Sequence, residues 1–365
     1  MHSRQTLPQR FHLDVPLLLA ILVLAGIGLV VLYSAGGEDP ELIVKQGLRF
    51  LLALGLMLLV AQIAPQHLAF WAPWFYAGSL VLLILVLAVG DVGKGAQRWL
   101  DLGFMRFQPS EMVKVAVPAM VAWYLSERPL PPSLPRLLVA AALIVVPTAL
   151  IAKQPDLGTS LLVAAAGVFV LLVAGMSWRL ILAMGALCAA FLPVLWYFFM
   201  RDYQRQRVLT LLNPQSDPLG AGYHIIQSKI AVGSGGVFGK GWLNGTQSQL
   251  DFVPERATDF IFAVFSEEFG LVGSLGLLAL YLFIVVRGLF LAAEAQETFG
   301  RLLGAGLVLT FFVYVFVNIG MVTGLLPVVG VPLPLISYGG TSMVTLMLAF
   351  GILMSVHSHR RLLSD

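Results

Sequence analysis

The sequence predicts an all-α, polytopic integral membrane protein of about ten transmembrane helices, with one large extracytoplasmic loop between the seventh and the eighth. Three observations predict it. Only 11% of the 365 residues are charged, against roughly 25% in an average soluble protein. Hydrophobic residues make up 59% of the chain, and the mean hydropathy is +0.90. The apolar residues fall in blocks of about twenty, the length a helix needs to cross about 30 Å of hydrocarbon at about 1.5 Å per residue.

Apolar runs between polar or Pro/Gly breaks place the spans at 15–33, 43–63, 70–90, 110–126, 136–152, 158–174, 178–200, 260–288, 301–323 and 337–357. The first opens on Asp14 ahead of Pro16, an N-cap followed by a proline in the first turn, where its missing N–H is harmless. No small-residue cleavage pattern follows this run, so it reads as a retained helix and not a signal peptide. Spans 136–152 and 158–174 are separated by little more than KQPDLG and read as a tight helical hairpin or a re-entrant pair. Two outer segments stand apart in composition, 91–114 and 201–259. The second holds eight glycines between Gly220 and Gly245, and a loop of that length is unusual unless it is functional. Within it, HIIQSKIAV reads as a short amphipathic helix lying on the membrane. The whole chain, 1–365, reads as a single transmembrane domain with the 201–259 loop inside it.

Basic residues flanking the helices set orientation. Arg4 and Arg10 precede the first span, while Arg360 and Arg361 follow the last, so both termini are expected in the cytoplasm. An even number of spans agrees. Cys188 is the only cysteine, which excludes an internal disulfide and any multi-cysteine metal site. The net charge of +3 comes from 22 Lys and Arg scattered around apolar segments. That pattern reads as topology signal and contact with anionic lipid, not as a nucleic-acid footprint. The six histidines form no metal-spaced set. The segment GSGGVFGKG resembles a phosphate loop only superficially, because Ser234 and Gly241 occupy the wrong places and no strand precedes it.

Charges inside apolar helices are costly, on the order of 2.5–3.5 kcal/mol each at a helix centre, and usually face a partner or a wet cavity. Glu111 and Lys114 share one face of the fourth span at i, i+3. The plain alternative is an ion pair at the outer interface. Arg98 and Arg106 just upstream would add a cationic rim. Asp259 begins the eighth span after a loop carrying Asp251, Glu255 and Arg256. Either Asp259 or Thr258 serves as a helix cap; with Thr258 capping, Asp259 is free to point into a pocket. Glu267 and Glu268, deeper in that span, read as a polar interior or a proton path. Asp156 reads mainly as a cap. LPLISYGGTSM opens the last span with Ser337, which either permits close packing or lines a substrate site. Together these residues describe an outward-facing polar cavity suited to an anionic, membrane-embedded ligand beside a carboxylate able to act as a base.

The segments GAQRWLDLGFMRFQPSEMVK, QPDLGTS, NPQSDPLGAGYHIIQSKIAVGSGGVFGKGW, TQSQLDFVPERATDFIFAVFSEEFG and LPLISYGG resemble those of the SEDS family, the shape, elongation, division and sporulation proteins. The resemblance runs nearly end to end, and TQSQLDF with LPVVGVPLP favours the elongation branch. Lys153 departs from the small or neutral residue expected there, without touching a motif. The resemblance implies a peptidoglycan glycosyltransferase of the bacterial inner membrane. Such an enzyme polymerises lipid II into β-1,4-linked glycan at the periplasmic face during cell elongation. It works with a class B penicillin-binding protein and other elongation-complex membrane proteins. The same resemblance makes Asp259 the essential acid, lines the central cavity with Arg106, Glu111 and Lys114, and puts Asp251 nearby. Asp259 is then the general base, and Lys114, Arg106 and Arg98 face the leaving undecaprenyl pyrophosphate, as oxyanion sites do. No spacing demands a cofactor, and a divalent cation at the pyrophosphate is left open. The rival readings are a lipid II flippase, which ten helices around a polar interior suit nearly as well, and a scaffold that only anchors the transpeptidase.

Overall fold

The computed structural model describes residues 12–93, 96–101, 106–200, 202–217, 220–250 and 252–358. Ten helices coincide with the ten expected spans: α1 Val15–Ala35, α2 Pro40–Ala61, α3 Pro65–Val89, α4 Pro109–Ser126, α5 Leu134–Lys153, α6 Leu157–Val173, α7 Trp178–Val194, α11 Ile261–Ala293, α12 Thr298–Val322 and α13 Thr341–Ser358. Among the described residues, eight helices are long and apolar enough to cross a membrane. The two that fall short are α6, with 17 residues, and α4, which carries Glu111 and Lys114. Both pack inside the bundle, where shortness and charge cost least.

Local chemistry sets the helix starts. Asp14 accepts the Leu17 amide at 3.0 Å and Asp39 accepts that of Glu41 at 2.9 Å. Pro40, Pro65 and Pro109 occupy the first turns of α2, α3 and α4, where the fixed φ of proline favours initiation. The pair read as a hairpin or a re-entrant pair is two helices, α5 and α6, packed on one another and joined by Gln154, Pro155 and Asp156.

The core has two lobes. Residues of α1, α2, α11, α12 and α13 form one, around Phe260, Tyr281, Phe311 and Phe350. The other gathers α3, α4, α5 and α6 around Tyr76, Val117 and Leu125. Helix α12 belongs to both, with Val308 and Phe311 in the first and Leu303 and Leu307 in the second. It is the post about which the site is built. Helix α7 buries none of its residues and stands at the edge.

The two segments that stand apart in composition are folded over their described residues. Strands β1 Asp91–Gly93, β2 Ala96–Asp101 and β3 Arg106–Phe107 form a three-stranded antiparallel sheet, which the sequence reading did not anticipate. Val92 pairs with Gln97, and Leu100 with Phe107. The 201–259 insert contains α8 Asp202–Leu212, a single turn of 3-10 helix at Pro214–Ser216, α9 Ala221–Ser234 and the short α10 Thr246–Gln249. Helix α9 is the one expected to lie on the membrane. Its buried face, Ile225, Ser228 and Ala231, is turned toward α11 and α12, so that face packs on protein and not on lipid. Ser228 Oγ donates to the Val322 carbonyl at 2.8 Å.

Helix α11 is broken at Gly270, which has φ +64° and ψ −162°, a region essentially reserved for glycine. The break frees the carbonyls of 267 and 268 and the amides of 271 and 272, and the insert takes them up. Lys240 and Gly241 amides donate to the Glu267 and Glu268 carbonyls at 3.0 Å each, while Leu271 and Val272 amides donate to those of Gly236 and Val237, also at 3.0 Å. Irregular backbone at membrane depth persists only where such partners exist. A Cβ at 270 would also lie 2.7 Å from the Val237 oxygen. Gly270→Ala should therefore lose about 1–3 kcal/mol from backbone strain alone, read as earlier thermal unfolding of the purified protein. An unchanged unfolding temperature would refute this reading of the break.

Candidate active site

The fourth helix contributes the first pair. Glu111 and Lys114 lie one turn apart on α4, with Nζ 2.5 Å from Oε1 and side chains only 9% and 6% exposed. The ammonium also sits 4.8 Å from the centre of the Tyr314 ring, on α12, a cation–π distance. Glu111 Oε2 is buried and has no hydrogen-bond partner among the described residues. Desolvating such a pair costs more than its attraction commonly returns, so its presence here marks a place where charge is used.

These groups open into a cavity of about 220 Å³, walled by β2, α4, the start of α6, α12 and the 330–342 segment. Arg98 reaches it from β2. Its Nη2 donates to the Pro155 carbonyl at 2.9 Å, and its Nε stands 3.4 Å from Asp156 Oδ2. Asp156 caps α6 as expected, accepting the Thr159 amide at 3.2 Å. It also lines the cavity, which the cap reading alone did not foresee. A larger apolar groove of about 690 Å³ between α6, α7 and α8 shares Arg98 and Asp156 in its wall.

Asp259 lies in the turn just before α11, which begins at Ile261 with Phe260 as the residue before it. It is partly exposed. Its carboxylate lies against Gly330, one of the residues lining the cavity; a Cβ there would sit 3.4 Å from Oδ2. Thr258 does not cap α11. Its hydroxyl turns back to Glu255 Oε2 at 2.9 Å, so the cap expected of it is not made.

Two neighbours hold the Asp259 turn. Asn318 Nδ2, buried on α12, donates to the Asp259 carbonyl at 2.9 Å and to the Val331 carbonyl at 2.7 Å. Ser337 Oγ donates to the Thr258 carbonyl at 2.6 Å and accepts the Leu333 amide at 2.7 Å. Ser337 was expected at the opening of the last helix. It lies instead in the loop before α13, because Pro332 and Pro334 together with Gly339 and Gly340 defer the helix to Thr341. The Tyr338 amide adds a bond to the Ala257 carbonyl at 2.8 Å. The 331–338 loop is thus a splint for residues 257–259.

Arg256 is directed elsewhere. Its Nη1 donates to the Ser248 carbonyl, and it lies beside Gly37 at the end of α1. Asp251 and the side chain of Arg106 lie outside the described residues. Glu267 and Glu268, read as a polar interior or a proton path, hold the insert: Glu268 Oε1 accepts from Ser34 Oγ and, at 3.2 Å, from the Leu243 amide. Asn318 escaped the sequence reading, although a lone amide within VYVFVNIGMV was a visible signal of an intramembrane polar contact. Asn318→Leu should leave the Asp259 and Val331 carbonyls without their donor, at about 1–3 kcal/mol of stability, and loosen the Asp259 turn. An unchanged unfolding temperature would show that this tether does not matter.

Comparison with known proteins gives these positions a context. The FtsW/RodA/SpoVE model, described as "Cell cycle protein", matches residues 15–362. The chain is 57% identical over 362 residues to the peptidoglycan glycosyltransferase MrdB of Escherichia coli, covering 99% of this chain and 98% of that one. It is 31% identical to the peptidoglycan glycosyltransferase RodA of Treponema pallidum, over 95% of this chain and 98% of that one. Among solved structures it resembles a chain of a peptidoglycan synthase complex in which polymerization and crosslinking are coordinated. There the TM-score is 0.83 and the identity 34%, over 95% and 99% of the two chains. It also resembles the rod shape determining protein RodA of Thermus thermophilus, with TM-score 0.72 and 31% identity over 94% and 96%.

Proposed function

Because this chain belongs to the FtsW/RodA/SpoVE family and is a multi-pass membrane peptidoglycan glycosyltransferase, we propose that it polymerises lipid II at the periplasmic face of the inner membrane, with Asp259 as general base. The carrying observation is the gathering of Lys114, Glu111, Arg98 and Asp156 around one cavity whose wall at Gly330 meets the Asp259 carboxylate. Both termini are then cytoplasmic.

In this reading the 4-hydroxyl of the incoming GlcNAc gives its proton to Asp259 as its oxygen attacks the anomeric carbon of the MurNAc at the lipid-linked end of the growing glycan. The C–O bond to undecaprenyl pyrophosphate breaks with inversion, leaving a β-1,4 link. Negative charge grows on the departing pyrophosphate, and a cation already in place stabilises it without reorganisation. Lys114 is that cation, supported by Arg98 and Arg106. Glu111 holds the ammonium in the cavity, and Asp156 holds Arg98 against the end of α5. The apolar groove that meets the cavity at Arg98 and Asp156 suits a polyprenyl chain. The step requires no cofactor; a divalent cation at the pyrophosphate would add to Lys114 and not replace it. The reading includes a class B penicillin-binding protein as the cross-linking partner, supported by the likeness to a synthase complex.

The test is reconstitution. Purified protein with its partner transpeptidase, given labelled lipid II in the outer leaflet of liposomes, should yield long glycan. Movement of lipid II between leaflets without glycan would instead make it a flippase.

A further inference from the structure

Glu267 is a fully buried carboxylate inside a membrane helix that the proposed chemistry does not use, and it is crowded with donors. Its Oε1 accepts from Lys240 Nζ at 2.7 Å, the Gln247 amide at 2.9 Å and Thr246 Oγ1 at 3.2 Å, and its Oε2 accepts the Ser248 amide at 3.2 Å. Those four donors come from residues 240–248 of the insert, and Ser234 Oγ at the end of α9 adds a fifth, to Oε1 at 3.4 Å. The next contact continues outward, since the Ser248 carbonyl accepts from Arg256 Nη1. Arg256 is one residue from Ala257 and three from Asp259, inside a turn closed by the Thr258 amide donating to the Glu255 carbonyl at 3.0 Å. A continuous set of polar contacts therefore runs from Glu267 through α10 and Arg256 to the turn that carries Asp259.

We propose that Glu267 is a positioning residue for glycan polymerisation: its carboxylate fixes residues 240–248, and through the Ser248–Arg256 bond it sets the approach of Asp259 to the cavity. The inference rests on Asp259 being the base. A carboxylate suits the task because it offers acceptors to two amides, two hydroxyls and an ammonium at once, where a carboxamide would turn its NH₂ toward one of them. The 331–338 splint holds the Asp259 turn from one side, and this set of contacts holds it from the other. A misplacement of about 1 Å at a catalytic group can cost on the order of 10²-fold in rate, which sets the scale expected.

The experiment uses the full chain with its partner transpeptidase and labelled lipid II. Glu267→Gln should lower kcat about 10- to 10²-fold with KM within about twofold, the signature of lost transition-state alignment. Lys240→Met should do the same more weakly and Lys240→Arg should restore the rate, which keeps the test alive if Glu267→Gln folds poorly. Glu267→Gln combined with Arg256→Met should be no slower than the slower single variant, as members of one network behave. Hydrogen exchange gives a reading independent of activity: amides of Gln247 and Ser248, then those of 255–260, should lose protection in Glu267→Gln. Wild-type kcat in a variant whose loop has lost protection would overturn the proposal, as would unchanged exchange, a rise in KM alone, or additive double-variant effects. Normal polymerisation by Asp259→Asn is a different result; it sinks the base assignment, while the exchange pattern still decides whether Glu267 orders the turn.

Discussion

Asp259→Asn is expected to reduce lipid II polymerisation by about 10²–10⁴-fold, the range general-base catalysis contributes, while leaving the fold intact. The side chain is partly exposed, and the backbone carbonyl of this residue is held by Asn318. Asparagine keeps the size and that carbonyl and removes only the basic oxygen. Gel analysis of glycan from labelled lipid II, alongside the unfolding temperature, separates chemistry from stability. Near-normal glycan would reject the assignment.

The second large effect is expected at Lys114. Removing one member of a buried pair strands the other, at about 3–5 kcal/mol, a large share of the 5–15 kcal/mol that typically holds a domain together. Lys114→Met should therefore unfold at markedly lower temperature and polymerise little. Pairing it with Glu111→Gln removes the stranded charge, so the double variant should regain most of the stability and none of the activity. That divergence is the informative part. A double variant that recovers both would reduce the pair to an internal staple, and a stable, active Lys114→Met would dispose of its role entirely.

How much of this was legible depends on what kind of physics wrote it. Helix starts were legible where the signal is local, as with Asp14 capping α1 ahead of Pro16, and the Glu111–Lys114 pair was legible because i, i+3 spacing leaves a helix no other arrangement. The strands at 91–107 were not, since pieces of two to six residues carry too little alternation to announce a sheet. The face of α9 was misassigned because an amphipathic stripe states that something covers it without stating what. Ser337 was assigned to a helix by an apolar run that continues through prolines and glycines which break it. Glu267 and Glu268 were noticed as costly, yet partners such as Lys240 and Leu243 lie in a loop with no periodicity and Ser34 lies far upstream on α1, so only the folded chain shows them.

The exchanged hydrogen bonds around Gly270 bear on the order in which the protein is made. Residues 236–241 leave the ribosome ahead of 267–272, so the interrupted stretch of α11 meets substitute partners that are already synthesised. Were the same segment encoded after that helix, the Leu271 and Val272 amides would wait in hydrocarbon, each unsatisfied group costing several kcal/mol. The chain's direction of synthesis is thus part of how a helix this interrupted is admitted to a membrane.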